Sequence, residues 1–166
     1  MELWYAVHTK ARDEKLAQDN LDRQGFVTFL PRIKDSRRRR GRWIEVIGPL
    51  FPGYLFIQLD LLTQDTSVIR STRGVLGLVR FGGIPAPVPS GLVEQLMAAS
   101  ASTEGVVCQE HLFQSGDRVE ILSGPFAGLP ASILAETGKE RVELLLELLG
   151  RANKVMISRH QLRPAP

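Results

Sequence analysis

The side chains able to do covalent chemistry are few and scattered in this 166-residue chain. His8, His111 and His160 lie far apart without ligand spacing, so no metal site is read from them. The single cysteine, Cys108, excludes an internal disulfide and a thiolate zinc cluster, and it fits a reducing compartment. No histidine–carboxylate–nucleophile grouping and no phosphate loop is visible. An enzyme therefore has little support, and no cofactor is assigned. What the chain does offer is positive charge and aromatic surface. Arg32 to Arg42 holds seven cations and one acid, with Arg37-Arg38-Arg39-Arg40 in one run. Such a cluster suits non-specific contact with nucleic acid, and a solubilising loop explains it as well. Lys10, Arg12, Lys15 and Arg23 form a second group. A solvated helix face is their commoner meaning, and phosphate binding requires that they converge with other cations.

The element expected to organise the rest is Pro49-Leu50-Phe51-Pro52-Gly53-Tyr54-Leu55-Phe56-Ile57. Pro52-Gly53 is a turn signal, and Tyr54–Leu59 is rich in strand formers. Period two puts Leu55, Ile57 and Leu59 on one face and Tyr54, Phe56 and Gln58 on the other. A strand apolar on both faces is either sandwiched in a core or offers an aromatic face to a partner.

Around it, Leu3–His8 reads as a strand, 10–24 as a helix capped by Gly25, and Phe26–Leu30 as a strand ending at Pro31. Arg32–Arg42 then leads to Trp43–Ile47, a hairpin with a mobile basic tip. Asp65–Ser71 reads as a short helix and Val75–Phe81 as a strand. Ser90 N-caps a helix whose stripe is Leu92, Val93, Leu96 and Met97. These elements make an antiparallel α+β sandwich over residues 1–100. Residues 101–113 read as a linker, and 114–166 as a small unit of short strands (Arg118–Leu122, Ala131–Glu136, Arg141–Leu148, Lys154–Ile157 and a piece near Gln161-Leu162). Five short strands bury a core only by curling into a barrel.

Hydrophobic content of 43% with 23% charge is that of a folded protein. Residues 1–100 carry 14 Lys/Arg against 10 Asp/Glu, whereas 101–147 carry 3 against 8, which suggests two units with different partners. The first residues lack a signal-peptide pattern, and no stretch reaches the roughly 18 apolar residues that span a bilayer. A cytoplasmic location is expected.

Several of these segments together resemble the NusG transcription factors. Trp4-Tyr5, Pro49–Phe56, and Thr72-Arg73-Gly74-Val75 ahead of Phe81 resemble that family's N-terminal domain. Gly116-Asp117-Arg118-Val119 with Gly124-Pro125-Phe126-Ala127-Gly128 resembles its C-terminal KOW domain. Leu129-Pro130-Ala131 after the KOW turn, and Glu147-Leu148-Leu149-Gly150-Arg151, look more like the specialised paralog RfaH than general NusG.

The resemblance implies a non-catalytic elongation and antitermination factor, monomeric, that binds RNA polymerase and reduces pausing. By matching position, Phe51, Tyr54, Phe56, Phe81, Val93 and Leu96 would dock on the β′ clamp helices. Thr66 and Ser67 fall where the paralog contacts the β gate loop, although Asp65 departs from its pattern. Lys10, Arg23, Thr72 and Arg73 match positions that meet the non-template DNA strand. Ala11 and Asn20 do not match, and Arg12 and Lys15 replace lost charge without its geometry. A small ribosomal subunit protein is a further partner implied for the KOW domain.

Arg141–Arg151 satisfies two periods at once. As a strand it alternates; as a helix it gathers Val142, Leu145, Leu146 and Leu149 into one stripe, and leucine and glutamate favour helix. The paralog's C-terminal domain folds either as a helical hairpin against the polymerase-binding surface or as a five-stranded barrel, so both states are open here. In the paralog an acidic residue before the Pro-Leu-Phe-Pro motif pairs with a C-terminal arginine. Here that position is Gly48, which would leave Arg141 an orphan. The rival readings are a general NusG-type factor with a permanent barrel and a KOW-containing RNA-binding or ribosome-associated protein.

Overall fold

The computed structural model describes residues 2–89, 91–100, 106–107 and 138–161. The chain runs β1 (Leu3–Thr9), α1 (Glu14–Arg23), β2 (Val27–Phe29), β3 (Arg32–Arg39), β4 (Arg42–Pro49) and β5 (Tyr54–Leu59). It continues with α2 (Ser67–Arg70), β6 (Val75–Leu78), β7 (Arg80–Phe81), β8 (Ile84–Pro85), α3 (Leu92–Ser100), β9 (Val106–Val107) and α4 (Gly138–Gln161). The fold is mixed α+β around an antiparallel sheet ordered β2-β5-β1-β6.

Strand β5 is central and separates two apolar layers. On one side Leu55, Ile57 and Leu59 pack with Tyr5, Val7, Ala17, Leu21, Ile69 and Val75. On the other, Phe56 joins Ala6, Phe51, Leu92, Val93 and Leu96. The alternation along β5 thus follows the pleat. Helix α1 starts at Glu14 rather than at residue 10, because Arg12 adopts φ 64° and Asp13 closes a turn onto Lys10.

Three other expectations change. The basic run is not a loose tip: β3 and β4 pair in register from Arg32/Pro49 to Arg39/Arg42, leaving Arg40-Gly41 as the whole turn. Both turn residues have positive φ (52° and 77°), the backbone of a type I′ hairpin, which suits the strand twist and is easy for Gly41. The strand expected over Val75–Phe81 breaks at Val79, whose N–H donates to Ala6 O while its carbonyl accepts from Ala86; β7 and β8 then form a hairpin of their own. In the stretch read as a linker, Val106–Val107 pairs in parallel with Arg32–Ile33 and extends the hairpin to three strands.

Of the two states left open for the C-terminal part, the described residues are helical: Arg141–Leu148 and Lys154–Ile157, the barrel strands of the other state, lie within helix α4. The spans 118–122 and 131–136, the KOW-type turns, Ser90 and Leu162 fall outside the described residues. Residues two apart along 141–149 found no partner strand among the described residues, so the 3.6 period prevailed there. Among the described residues no helix is long and apolar enough to cross a membrane, and no group of side chains is arranged to hold a metal ion.

Candidate functional site

The site is the outer face of the sheet and the helix that covers it. Cross-strand pairing sets Ala6 opposite Phe56 and His8 opposite Tyr54, so these side chains share one face. His8 and Tyr54 stack with ring centroids 4.7 Å apart and planes at 8°. Phe51 meets Phe56 edge-on at 5.9 Å, a favoured aromatic geometry. Burial raises the Tyr54 phenol pKa above its ordinary value, because the phenolate is disfavoured away from water. Helix α3 adds Leu92, Val93 and Leu96 to the same layer.

Helix α4 lies on this layer. Leu144, Leu145, Leu148 and Leu149 are buried in one cluster with Phe51, Phe56, Val93 and Leu96, and Tyr54, Phe81, Met97 and Val142 pack at its margin. The buried set Arg141, Leu144, Leu145, Leu148 and Leu149 follows i, i+3, i+4, i+7, i+8, one helical stripe. Each fully buried leucine contributes about 1.5–3 kcal/mol. The stripe expected over Val142, Leu145, Leu146 and Leu149 is therefore rotated. Leu145 and Leu149 hold its centre, Val142 flanks it, and Leu146 is half-exposed. Five leucines between 144 and 149 wrap more than half the helix, so the sequence does not fix the angle. The partner surface does.

Two contacts set how α4 sits. Arg141 is 1% exposed, and its Nε–H donates to Leu50 O at 2.7 Å. The arginine expected as an orphan because of Gly48 is thus bonded to a main-chain carbonyl two residues further on. At the start of α4, Gly138 abuts the Pro52-Gly53 turn. A Cβ there would stand 2.7 Å from Pro52 Cγ, so only glycine admits this approach without displacement. The turn itself is held from behind: Gly53 N–H donates to Glu14 Oε1 at 2.9 Å, and Thr9 N–H donates to Gly53 O at 2.7 Å. Sequence reasoning missed Glu14, Gly138, Leu144 and Leu148; the i, i+4 spacing of the two leucines was the available signal.

Residues 2–97 match the family described as "Transcription termination factor nusG". The chain is 33% identical to the "Transcription termination/antitermination protein NusG" of Thermus thermophilus, over 92% of each. The chain belongs to the NusG family of transcription factors. It is also 27% identical to the protein of that name from Staphylococcus aureus, covering 96% of this chain and 93% of the relative. A solved structure described as "Domain interaction in Thermotoga maritima NusG" aligns over 78% of this chain and 77% of its own, with TM-score 0.48 and 23% identity.

The other positions singled out in this NusG-family chain fall into separate places. Lys10 N–H donates to Gly74 O at 2.9 Å, and Asn20 Nδ2 donates to Arg73 O at 3.1 Å, so the 10–13 loop and helix α1 are both tied to the 72–74 loop. Lys10 and Arg73 are both exposed on that seam. Arg12 instead lines an open groove with Gly48, Pro49, Pro52 and Gly53. Lys15 shares its charge with Asp19 at 3.2 Å. Arg23 closes the far end of α1, a helix length of ~15 Å away, where a cation suits the dipole. Thr72 is not offered to solvent: it is buried, its hydroxyl donates to Val68 O at 2.8 Å and accepts from Gln24 Nε2 at 2.7 Å. At α2, the Ser67 N–H and Oγ–H both donate to Asp65 Oδ1, at 3.0 and 2.6 Å, while Thr66 is half-buried. The Ser67 hydroxyl, followed by the Ser67 N–H, holds the Asp65 carboxyl below its ordinary pKa.

Proposed function

We propose that this chain is an RfaH-type member of the family, a transcription elongation and antitermination factor held closed by its own C-terminal helix. The observation that carries this reading is the burial of Leu144, Leu145, Leu148 and Leu149 on the layer containing Phe51, Phe56, Val93 and Leu96. Tyr54 and Phe81 edge the same layer. When α4 leaves, that apolar surface docks on the RNA polymerase β′ clamp helices. Thr66 and Ser67 then face the β gate loop, and polymerase is held in a state that pauses and terminates less. Released residues 114–166 refold into a KOW barrel free to bind a small ribosomal subunit protein.

The competing burials make a switch possible: the leucines are covered either by the first domain or by a barrel core, and the two states must lie within a few kcal/mol to exchange. The test cuts the chain within 101–113 and compares far-UV circular dichroism before and after separation. The intact protein is expected to show more helix than the sum of its parts, and fragment 114–166 a β spectrum. Additive spectra with a helical fragment would reject refolding; additive spectra with a β fragment would favour the second reading, a general NusG-type factor with a permanent barrel, which the full-length likeness to NusG proteins supports.

The non-template DNA strand is the second contact in this reading, carried by Lys10 and Arg73 with Arg12, Lys15 and Arg23 around them. Lys10→Ala and Arg73→Ala are each expected to weaken recruitment to paused complexes and to lower the salt slope by about 0.7 per lost phosphate contact on a single strand. Recruitment titrated against salt checks it, and an unchanged slope in both variants makes this face a solvated surface only.

A further inference from the structure

We propose that the β3–β4 ribbon is a separate site for single-stranded nucleic acid, in which Trp43 stacks on a base while Arg39, Arg40 and Arg42 hold the flanking phosphates. Trp43 is 72% exposed, although an indole is among the side chains with most to gain from cover. It stands on β4 two residues past Gly41, within about 10 Å of the turn at ~3.3 Å per residue. Arg39 and Arg42 pair across the last rung, Arg40 occupies the turn, and all three are exposed. Further from the turn, Glu45 is engaged by Lys34 at 3.8 Å and Ile47 is exposed on the same face. The acid nearest Trp43 along β4 is therefore already occupied.

The charge names the ligand class. Seven cations and one acid between Arg32 and Arg42 favour a polyanion over a protein of mixed charge or a second copy of this basic ribbon. The indole narrows it further. In a duplex the base faces are stacked on one another, so a flat exposed ring has nothing to meet. In a single strand every base offers a free face, and a ring beside cations is the usual platform. The type I′ turn and the full ladder of β3 and β4 preorganise the ribbon, with Trp43 on one face and the Arg39/Arg42 rung on the other, so a strand crossing the narrow tip at Arg40 meets the ring and the guanidinium groups in turn. Neither Lys10 nor Arg73 takes part, so this site stands or falls apart from the DNA face above.

The experiment is fluorescence anisotropy of labelled oligothymidylate, oligouridylate and a short mixed duplex with the full chain. Trp43→Ala is expected to weaken single-strand binding roughly five- to hundredfold, while Trp43→Phe keeps most of it because any ring stacks. Arg39→Ala with Arg42→Ala should lower the salt slope by about 1.4. A preference for uridylate assigns the site to RNA and one for thymidylate to DNA, and either supports the stacking site. Single-strand affinity unchanged in Trp43→Ala overturns it. So does tighter binding of the duplex with no effect of Trp43→Ala, which would reduce the ribbon to a phosphate contact. Loss of self-association in Trp43→Ala, without loss of oligonucleotide binding, overturns it in favour of a copy interface.

Discussion

Replacing Leu145 and Leu149 together by aspartate is expected to free helix α4 and raise affinity for RNA polymerase at least tenfold. Both side chains are 0% exposed at the centre of the seam against Phe56, Val93 and Leu96. Truncating a buried leucine costs about 2–5 kcal/mol, and a carboxylate in its place adds the desolvation of a charge with no partner. Two such changes exceed any plausible preference for the closed arrangement, since exchange requires a gap of only a few kcal/mol. The sheet's other layer, built on Leu55, Ile57 and Leu59, is untouched, so the first domain keeps its fold. Hydrogen exchange in α4 should accelerate first. Quantitative pull-down with polymerase then reads the gain; unchanged affinity alongside an undocked α4 would refute the idea that this helix blocks the docking surface. Arg141→Ala is a milder probe in the same direction. It leaves Leu50 O buried without that donor, a loss of about 1–3 kcal/mol.

Tyr54→Ala should cost polymerase binding tenfold or more while leaving the first domain folded. Tyr54 is half-buried at the margin of the seam and stacked on His8, so it can serve a partner without being required by the core. Aromatic anchors of this kind carry a large share of interface energy. Phe56 is a poorer probe than its neighbour. It is fully buried and edge-on to Phe51, so truncation there costs about 3–5 kcal/mol of packing and confounds stability with affinity. The measurement is affinity for polymerase in the Leu145→Asp/Leu149→Asp background, with thermal melts as control. An opened protein that binds equally well with alanine at 54 would remove Tyr54 from the docking surface.

The two-sidedness of β5 was legible because period-two alternation needs only the strand's own residues, and the burial of Leu55, Ile57 and Leu59 opposite Phe56 follows it. Residues 141–149 were not decidable in the same way. Their leucines satisfy both periods, and the choice depends on a surface built from residues far earlier in the chain, from Phe51 and Phe56 to Val93 and Leu96. The arginine run misled for a related reason. Repulsion between neighbours argues for a loose tip, yet strand pairing at every rung from Arg32/Pro49 to Arg39/Arg42 imposes order that no local count of charges reveals. Thr72 looked like a contact residue by position, and its burial was set by Gln24 and Val68, which no spacing rule connects to it.

The bond from Arg141 to Leu50 O has a consequence for how this protein can change over generations. An ion pair between two side chains has two mutable ends, and either can drift and be rescued by the other. Here the acceptor is a peptide carbonyl, present whatever residue is encoded at 50, so Gly48 is free to vary without weakening the tie. In this bond only the arginine is a side chain, and lysine, a point charge without the guanidinium fork, is a poor substitute for an Nε donor. A glycine at position 48 therefore leaves the bond from Arg141 to Leu50 O intact, and a screen for covarying pairs would overlook that bond.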